Sequence, residues 1–168
     1  MRTSTSNYFG NFQYDKKNSF GKETSSNGDI YLGSFVYDIK DGSCIYTFKA
    51  NKENFNYFDF TNGEEVKYTG FYRDGVKHGV GMLESDSFYF CGEFNKGSIS
   101  GLGILKKDGK TYFGEFRDNQ KNGIGIEKSS KFFYKGEYKD NFPTGLGVHI
   151  VGDEIKYPNY ETLINQQS

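Results

Sequence analysis

A five-residue aromatic–glycine motif recurs in this chain at a fixed step of 22 residues, and that step constrains the fold more than any other feature. Tyr68-Thr69-Gly70-Phe71-Tyr72, Phe90-Cys91-Gly92-Glu93-Phe94, Tyr112-Phe113-Gly114-Glu115-Phe116 and Tyr134-Lys135-Gly136-Glu137-Tyr138 align without gaps. A Gly-x-Gly pair follows each: Gly79 and Gly81, Gly101 and Gly103, Gly123 and Gly125, Gly145 and Gly147. Two upstream copies keep the frame with losses. Tyr8 to Phe12 is followed by Ser19-Phe20-Gly21, and Tyr31 to Phe35 by Gly42-Ser43-Cys44. A period of this length marks an array of small supersecondary units that bury their apolar sides against one another.

Each unit reads as one β-hairpin. Lys110 to Arg117 alternates with period two, placing Tyr112, Gly114 and Phe116 on one face and Thr111, Phe113, Glu115 and Arg117 on the other. Asp118 to Gly123 supplies turn chemistry before a return strand at Gly125 to Lys128, and Asn27-Gly28, Asn62-Gly63 and Asp108-Gly109 are further tight-turn pairs. Glycine inside a strand costs roughly 0.5–1 kcal/mol relative to alanine. The expected compensation is space: the rings of Tyr112 and Phe116 lie over Gly114 and over Gly123 and Gly125 of the paired strand. Val80/Met82, Leu102/Ile104, Ile124/Ile126 and Leu146/Val148 then line the opposite face.

Composition agrees. The 168 residues include 22 Gly, 17 Phe and 14 Tyr, with one alanine (Ala50) and six leucines, which excludes a helical bundle. The aromatic content excludes a disordered chain. Lys+Arg 21 against Asp+Glu 22 leaves a net charge of −1, without the basic excess of a nucleic-acid binder, so no nucleic-acid partner is expected. Cys44 and Cys91 stand far apart and read as two reduced thiols of an intracellular protein. No apolar run approaches the ~18 residues of a membrane span.

The array is expected over residues 8–157, behind an exposed tail at 1–7 too short and polar for a secretory signal. Repeats start near residues 8, 31, 68, 90, 112 and 134. The step from Tyr31 to Tyr68 is 37 residues, and a degenerate repeat starting at Tyr46 restores the frame, with Tyr57 and Asp59 in the late glycine slots. Tyr157-Pro158-Asn159 reads as a closing half-repeat, and residues 158–168 as a carboxy-terminal cap or tail. The expected fold is therefore all-β, an elongated single-layer antiparallel meander of about seven hairpins.

The Tyr-x-Gly-x-Phe and Gly-x-Gly signature resembles the MORN (membrane occupation and recognition nexus) repeat family, from about Tyr8 to Val148. The resemblance implies a twisted antiparallel sheet and a non-catalytic role, as a scaffold in cytoskeletal or ciliary assemblies or as an attachment to membranes.

No catalytic constellation stands out. His78 and His149 are single and read as surface-turn residues. Glu93, Glu115 and Glu137 share one repeat position and read as an exposed acidic row rather than an acid–base pair, which needs two unlike environments. Cys/His metal spacing is missing, and no cofactor is expected. Gly-x-Gly recurring with no following helix and no Gly-Lys-Ser/Thr is structural rather than a phosphate loop.

Two binding features remain. Lys106, Lys107, Lys128 and Lys131, with Lys110 and Lys135, crowd the turns of adjacent repeats and form a candidate edge for anionic phospholipid headgroups. Exposed Tyr and Phe surface on a one-layer sheet favours protein partners. The expected function is thus a scaffold or adaptor in a multi-subunit assembly, cytoplasmic and cytoskeletal or ciliary in setting. A peripheral adaptor on anionic membrane is the alternative, and a regulatory subunit of a separate enzyme is a third.

Overall fold

The computed structural model describes residues 6–51, 57–58, 62–151 and 154–156. Among the described residues, thirteen strands form one sheet in chain order, each antiparallel to its neighbours. β1 (Asn7–Gln13) and β2 (Lys16–Thr24) make the first hairpin, β3 (Ile30–Val36) and β4 (Ile39–Lys49) the second, β5 (Glu65–Arg73) and β6 (Val76–Glu84) the third. β7 (Phe88–Asn95) and β8 (Ser98–Lys107) make the fourth, β9 (Lys110–Arg117) and β10 (Gln120–Lys128) the fifth, β11 (Phe132–Lys139) and β12 (Phe142–Val151) the sixth. A short β13 (Glu154–Lys156) pairs with β12. The all-β meander is as expected, with six complete hairpins and an added strand standing for the seven. At ~4.8 Å between strands, thirteen span roughly 60 Å.

Every hairpin turns on two residues that both have positive φ, the type I′ geometry that matches strand twist. Asp118 and Asn119 have φ of 48° and 69°, and Asp140 and Asn141 of 50° and 74°. The hairpin turn is therefore narrower than the six residues expected, because Gln120 is already paired with Arg117. These turns also join consecutive hairpins. Asn119 N–H donates to the Ile99 carbonyl (3.0 Å) while its Oδ1 accepts from Ile99 N–H (2.7 Å). Asn141 grips Lys121 in the same two ways, at 3.0 and 2.9 Å.

The repeat proposed to start at Tyr46 is not a hairpin of the sheet. Tyr46 lies inside β4, opposite Tyr31 on one side and Tyr68 on the other, so both its edges are already paired. Ala50 and Glu64 close the base of the connecting segment through Ala50 N–H to the Glu64 carbonyl (2.8 Å). Tyr57 and Phe58, within that segment, lie over the sheet rather than in it. Asp59 falls outside the described residues, as do residues 1–5 and the carboxy-terminal stretch from Tyr157 onward.

One face carries the core. Tyr31, Tyr68, Phe90, Tyr112 and Tyr134, the leading rings, are 0–1% exposed, and the closing rings Phe35, Tyr72, Phe94, Phe116 and Tyr138 are also buried. A single sheet can bury these large side chains because they lie flat and meet edge to face along the array. Tyr68–Phe94, Phe90–Phe116 and Tyr112–Tyr138 bridge successive hairpins at 5.3, 5.4 and 4.9 Å between centroids.

Candidate functional site

The glycines divide into two kinds. The pairs Gly70/Gly81, Gly92/Gly103, Gly114/Gly125 and Gly136/Gly147 lie under the ring of Tyr68, Phe90, Tyr112 or Tyr134, where an added Cβ would meet a ring atom at 2.4–2.7 Å. The first glycine of each Gly-x-Gly does something else, correcting the expectation that Gly123 also floors a ring. A register shift recurs inside every hairpin. Gly123 sits in that bulge with φ of 66°, a left-handed conformation that a side chain resists. The Glu115 carboxylate packs against it and accepts from Ile124 N–H at 3.1 Å. Glu93 repeats this with Leu102 N–H at 3.1 Å, so these two members of the acidic row seal bulges while remaining exposed. Gly79 and Gly101 also have positive φ, and Gly145 lies in β12.

The bulge frees one carbonyl per hairpin, which explains why the leading ring is usually tyrosine. Tyr68, Tyr112 and Tyr134 donate their hydroxyls to the carbonyls of Phe71, Glu115 and Glu137 at 2.9, 2.9 and 3.1 Å. Tyr8 and Tyr31 do the same to Asn11 and Ser34, at 3.1 and 3.0 Å.

Over these rings runs a row of lysines that the sequence analysis did not single out. Lys17, Lys40, Lys77 and Lys121 each stand nine residues after a leading tyrosine, with Ile99 and Pro143 in the same slot of the other hairpins. Each ammonium lies over its own hairpin's ring: Lys17 over Tyr8 (5.5 Å), Lys40 over Tyr31 (4.6 Å), Lys77 over Tyr68 (5.4 Å) and Lys121 over Tyr112 (4.9 Å). Their shared position was the available signal; only the pairing across the hairpin shows that the slot turns toward the rings.

The slot opposite the leading ring holds Glu23, Tyr46, Leu83, Leu105, Glu127 and His149. Lys17 and Lys40 both pair with Glu23. Burial pushes the Glu23 carboxyl up, but those two lysines outweigh it and hold the group below its ordinary value. Glu127 pairs with Lys121 and with Lys110 at 3.8 Å. Lys77 faces Leu83 instead, among the rings of Phe48, Tyr57 and Tyr68, and burial lowers its pKa to about 8.

His149 is buried rather than in a surface turn: it lies in β12, packed edge-on to Phe132 at 4.8 Å. His78 lies in β6, its Nε2 3.1 Å from Arg73 Nη1. Cys44 is buried, Cys91 is half-buried and both are free thiols; burial raises Cys44 to about 11. Among the described residues, no group of three or more His, Cys, Asp or Glu is placed to hold a metal ion.

The lysines named for lipid do not share one surface. Lys107 pairs with Phe88 and so turns toward the rings, with Asp108 3.8 Å from its ammonium. Lys106 and Lys128 lie on the opposite face, flanking Thr111 of β9, and Lys131 is exposed in the turn after β10. Beside Lys106 and Lys128 on that face runs an apolar strip. Phe71, Val80, Leu102, Phe113 and Ile124 are 50–61% exposed, with Glu93 paired to Val80 and Glu115 to Leu102 between them.

A single-layer sheet built of consecutive hairpins, with an aromatic ladder on one face and no assembled reactive centre among its described residues, belongs to the class of hairpin-repeat proteins. The MORN repeat model matches residues 8–30, 31–51, 68–87, 90–111, 112–131 and 134–150, and the chain is a member of the MORN repeat family. The unmatched stretch 52–67 contains the segment that crosses the ring face. MORN repeats form a non-enzymatic family, generally involved in protein–protein or membrane–lipid contacts. No curated protein matches the chain.

Proposed function

We propose that this protein is a non-catalytic scaffold or adaptor that docks partner proteins of a larger assembly on the face opposite the rings. The observation that carries this reading is the set of apolar side chains from Phe71 to Ile124, exposed on five of the six strands β5 to β10 and interleaved with Glu93 and Glu115 of the acidic row. It continues into a shallow depression of about 340 Å³ bordered by Phe20, Leu32, Ile45 and Phe71. Single exposed apolar residues need no explanation, but five of them on one sheet face, alternating with carboxylates, suit a protein partner with apolar and basic side chains. A cytoplasmic assembly, cytoskeletal or ciliary, is the setting in which a rigid strip of this length would serve.

The test is affinity purification of the wild-type chain beside Phe113→Ser and Ile124→Ser, with circular dichroism verifying that both variants fold. A stoichiometric complex held by the wild type and lost from both variants supports the reading. A monomer with no stoichiometric partner counts against it.

The second reading, contact with anionic phospholipid, rests on Lys106 and Lys128 beside that strip. Lys107 faces away from them, so the basic edge is thinner than the sequence suggests. Salt-sensitive flotation on anionic vesicles, abolished in Lys106→Glu/Lys128→Glu/Lys131→Glu, would move lipid ahead of protein.

A further inference from the structure

The segment between β4 and β5 seats two adjacent rings on the aromatic face. The Tyr57 hydroxyl donates to the Gly97 carbonyl (2.5 Å) and accepts from Lys77 Nζ (3.4 Å), while its ring meets Phe94 edge-on at 6.2 Å. Phe58 packs against Phe88 at 5.4 Å and Phe90 at 5.9 Å. The residues that hold this pair recur two hairpins later. A step of 44 residues carries Lys77, Phe88, Phe90, Phe94 and Gly97 onto Lys121, Phe132, Tyr134, Tyr138 and Asn141. Even the turn is the same: φ is 48° and 87° at Lys96 and Gly97, 50° and 74° at Asp140 and Asn141. The Asn141 carbonyl therefore takes the place of the Gly97 carbonyl.

At this second position no described residue crosses the face. An open cleft of about 440 Å³ lies there instead, lined by Lys121, Phe132, Tyr138 and Asn141, four of the five translated residues, and by Phe142 and His149. The Tyr138 side chain, only 3% exposed, has a buried hydroxyl with no hydrogen-bond partner among the described residues. That hydroxyl is sealed from the cleft, so Tyr138 offers a ligand its ring and no hydrogen bond.

We propose that this cleft binds a segment of a partner protein carrying a tyrosine followed by a second aromatic residue. The tyrosine takes the pose of Tyr57, its hydroxyl between Lys121 Nζ and the Asn141 carbonyl, and the second ring lies against Phe132. The floor sets the selectivity. Leu83 and Leu105, opposite Tyr68 and Phe90, become Glu127 and His149, opposite Tyr112 and Tyr134, so the partner's flanking side chains are polar. The site lies on the face away from the apolar strip, so the two interactions stand or fall separately.

The probe is a fluorescent synthetic peptide with the sequence of residues 51–63, titrated into the full chain by anisotropy, with amide shifts mapping the contact. Saturable binding that maps to the fifth and sixth hairpins is expected. Replacing the peptide's Tyr57 or Phe58 by Ala should weaken it roughly tenfold or more. In the chain, Tyr138→Phe should leave binding unchanged, since the hydroxyl is sealed from the cleft and phenylalanine already fills that slot at Phe94. Phe142→Ala, at an exposed residue that the fold does not need, should weaken it several-fold. Four outcomes overturn the proposal: no saturation at millimolar peptide; shifts confined to the third and fourth hairpins; equal affinity for wild type and Phe142→Ala; or binding only after truncation beyond Lys156, which would mean that the chain fills its own cleft.

Discussion

The hydroxyl of Tyr112 lies over Gly125 of the adjacent strand, close enough that a Cβ built on that glycine would stand 2.4 Å from it. Gly125 is thus a glycine for want of space, whereas Gly123, two residues earlier, is one for its φ of 66°. Alanine should separate the two causes. Gly125→Ala must displace a buried ring and should cost at least ~2 kcal/mol. Gly123→Ala should cost about 1–2 kcal/mol, and Gly123→Asn less, because asparagine tolerates the left-handed region. Urea midpoints at constant m-value would measure both.

Phe90 is the one leading ring without a hydroxyl, although its Cζ takes the same pose, 2.6 Å from a Cβ built on Gly92. Phe90→Tyr should therefore reach the Glu93 carbonyl and stabilise the chain by about 0.5–1 kcal/mol. Tyr112→Phe should destabilise it by about 1 kcal/mol, since the Glu115 carbonyl loses its donor. Thermal melts of the two variants should shift in opposite directions.

The Asn119 side chain binds the preceding hairpin rather than its own, through Ile99 N–H at 2.7 Å. Asn119→Gly keeps the positive-φ turn but drops that bond, and should cost about 1 kcal/mol. Hydrogen exchange at Ile99 N–H should accelerate while amides within β9 and β10 keep their protection. Equal acceleration across the fifth hairpin would show that the side chain serves its own turn instead.

Burial lowers Lys77 from 10.5 to about 8. Between those two values the unfolded chain binds the proton that the folded chain has released, so this group's contribution to stability rises with pH from about 8 to 10.5 and is flat below. Above about pH 10 the buried phenols act in the other sense, since burial raises Tyr31, Tyr68 and Tyr112. Lys77→Met should abolish the rise between pH 8 and 10 and stabilise the chain at pH 7 by on the order of 2 kcal/mol. Urea titrations at pH 7, 8, 9 and 10 would read the slope.

The repeat frame was legible because the period-two alternation and the glycines are local: each turn and each ring-over-glycine contact lies within one or two units. Tyr46 was misread because frame-keeping alone cannot tell a strand residue from the start of a unit. What decides is that β4 already has partners on both edges. His149 was misread for a similar reason, since its burial comes from Phe132 across the hairpin. The lysine row shares one slot in the sequence, yet lysines at the neighbouring positions 106 and 107 face opposite ways, and only the strand register tells which face a given lysine takes.

By itself, then, the amino-acid order determined the hairpin, its period and the stacking of hairpins into one sheet, because those depend on backbone geometry repeated every 22 residues. The tertiary structure decided where that regularity is broken to make a surface. It laid Tyr57 and Phe58 over the third and fourth hairpins and placed no described residue at the matching position over the fifth and sixth, because the fate of an irregular segment depends on contacts far along the chain, such as Tyr57 with Gly97.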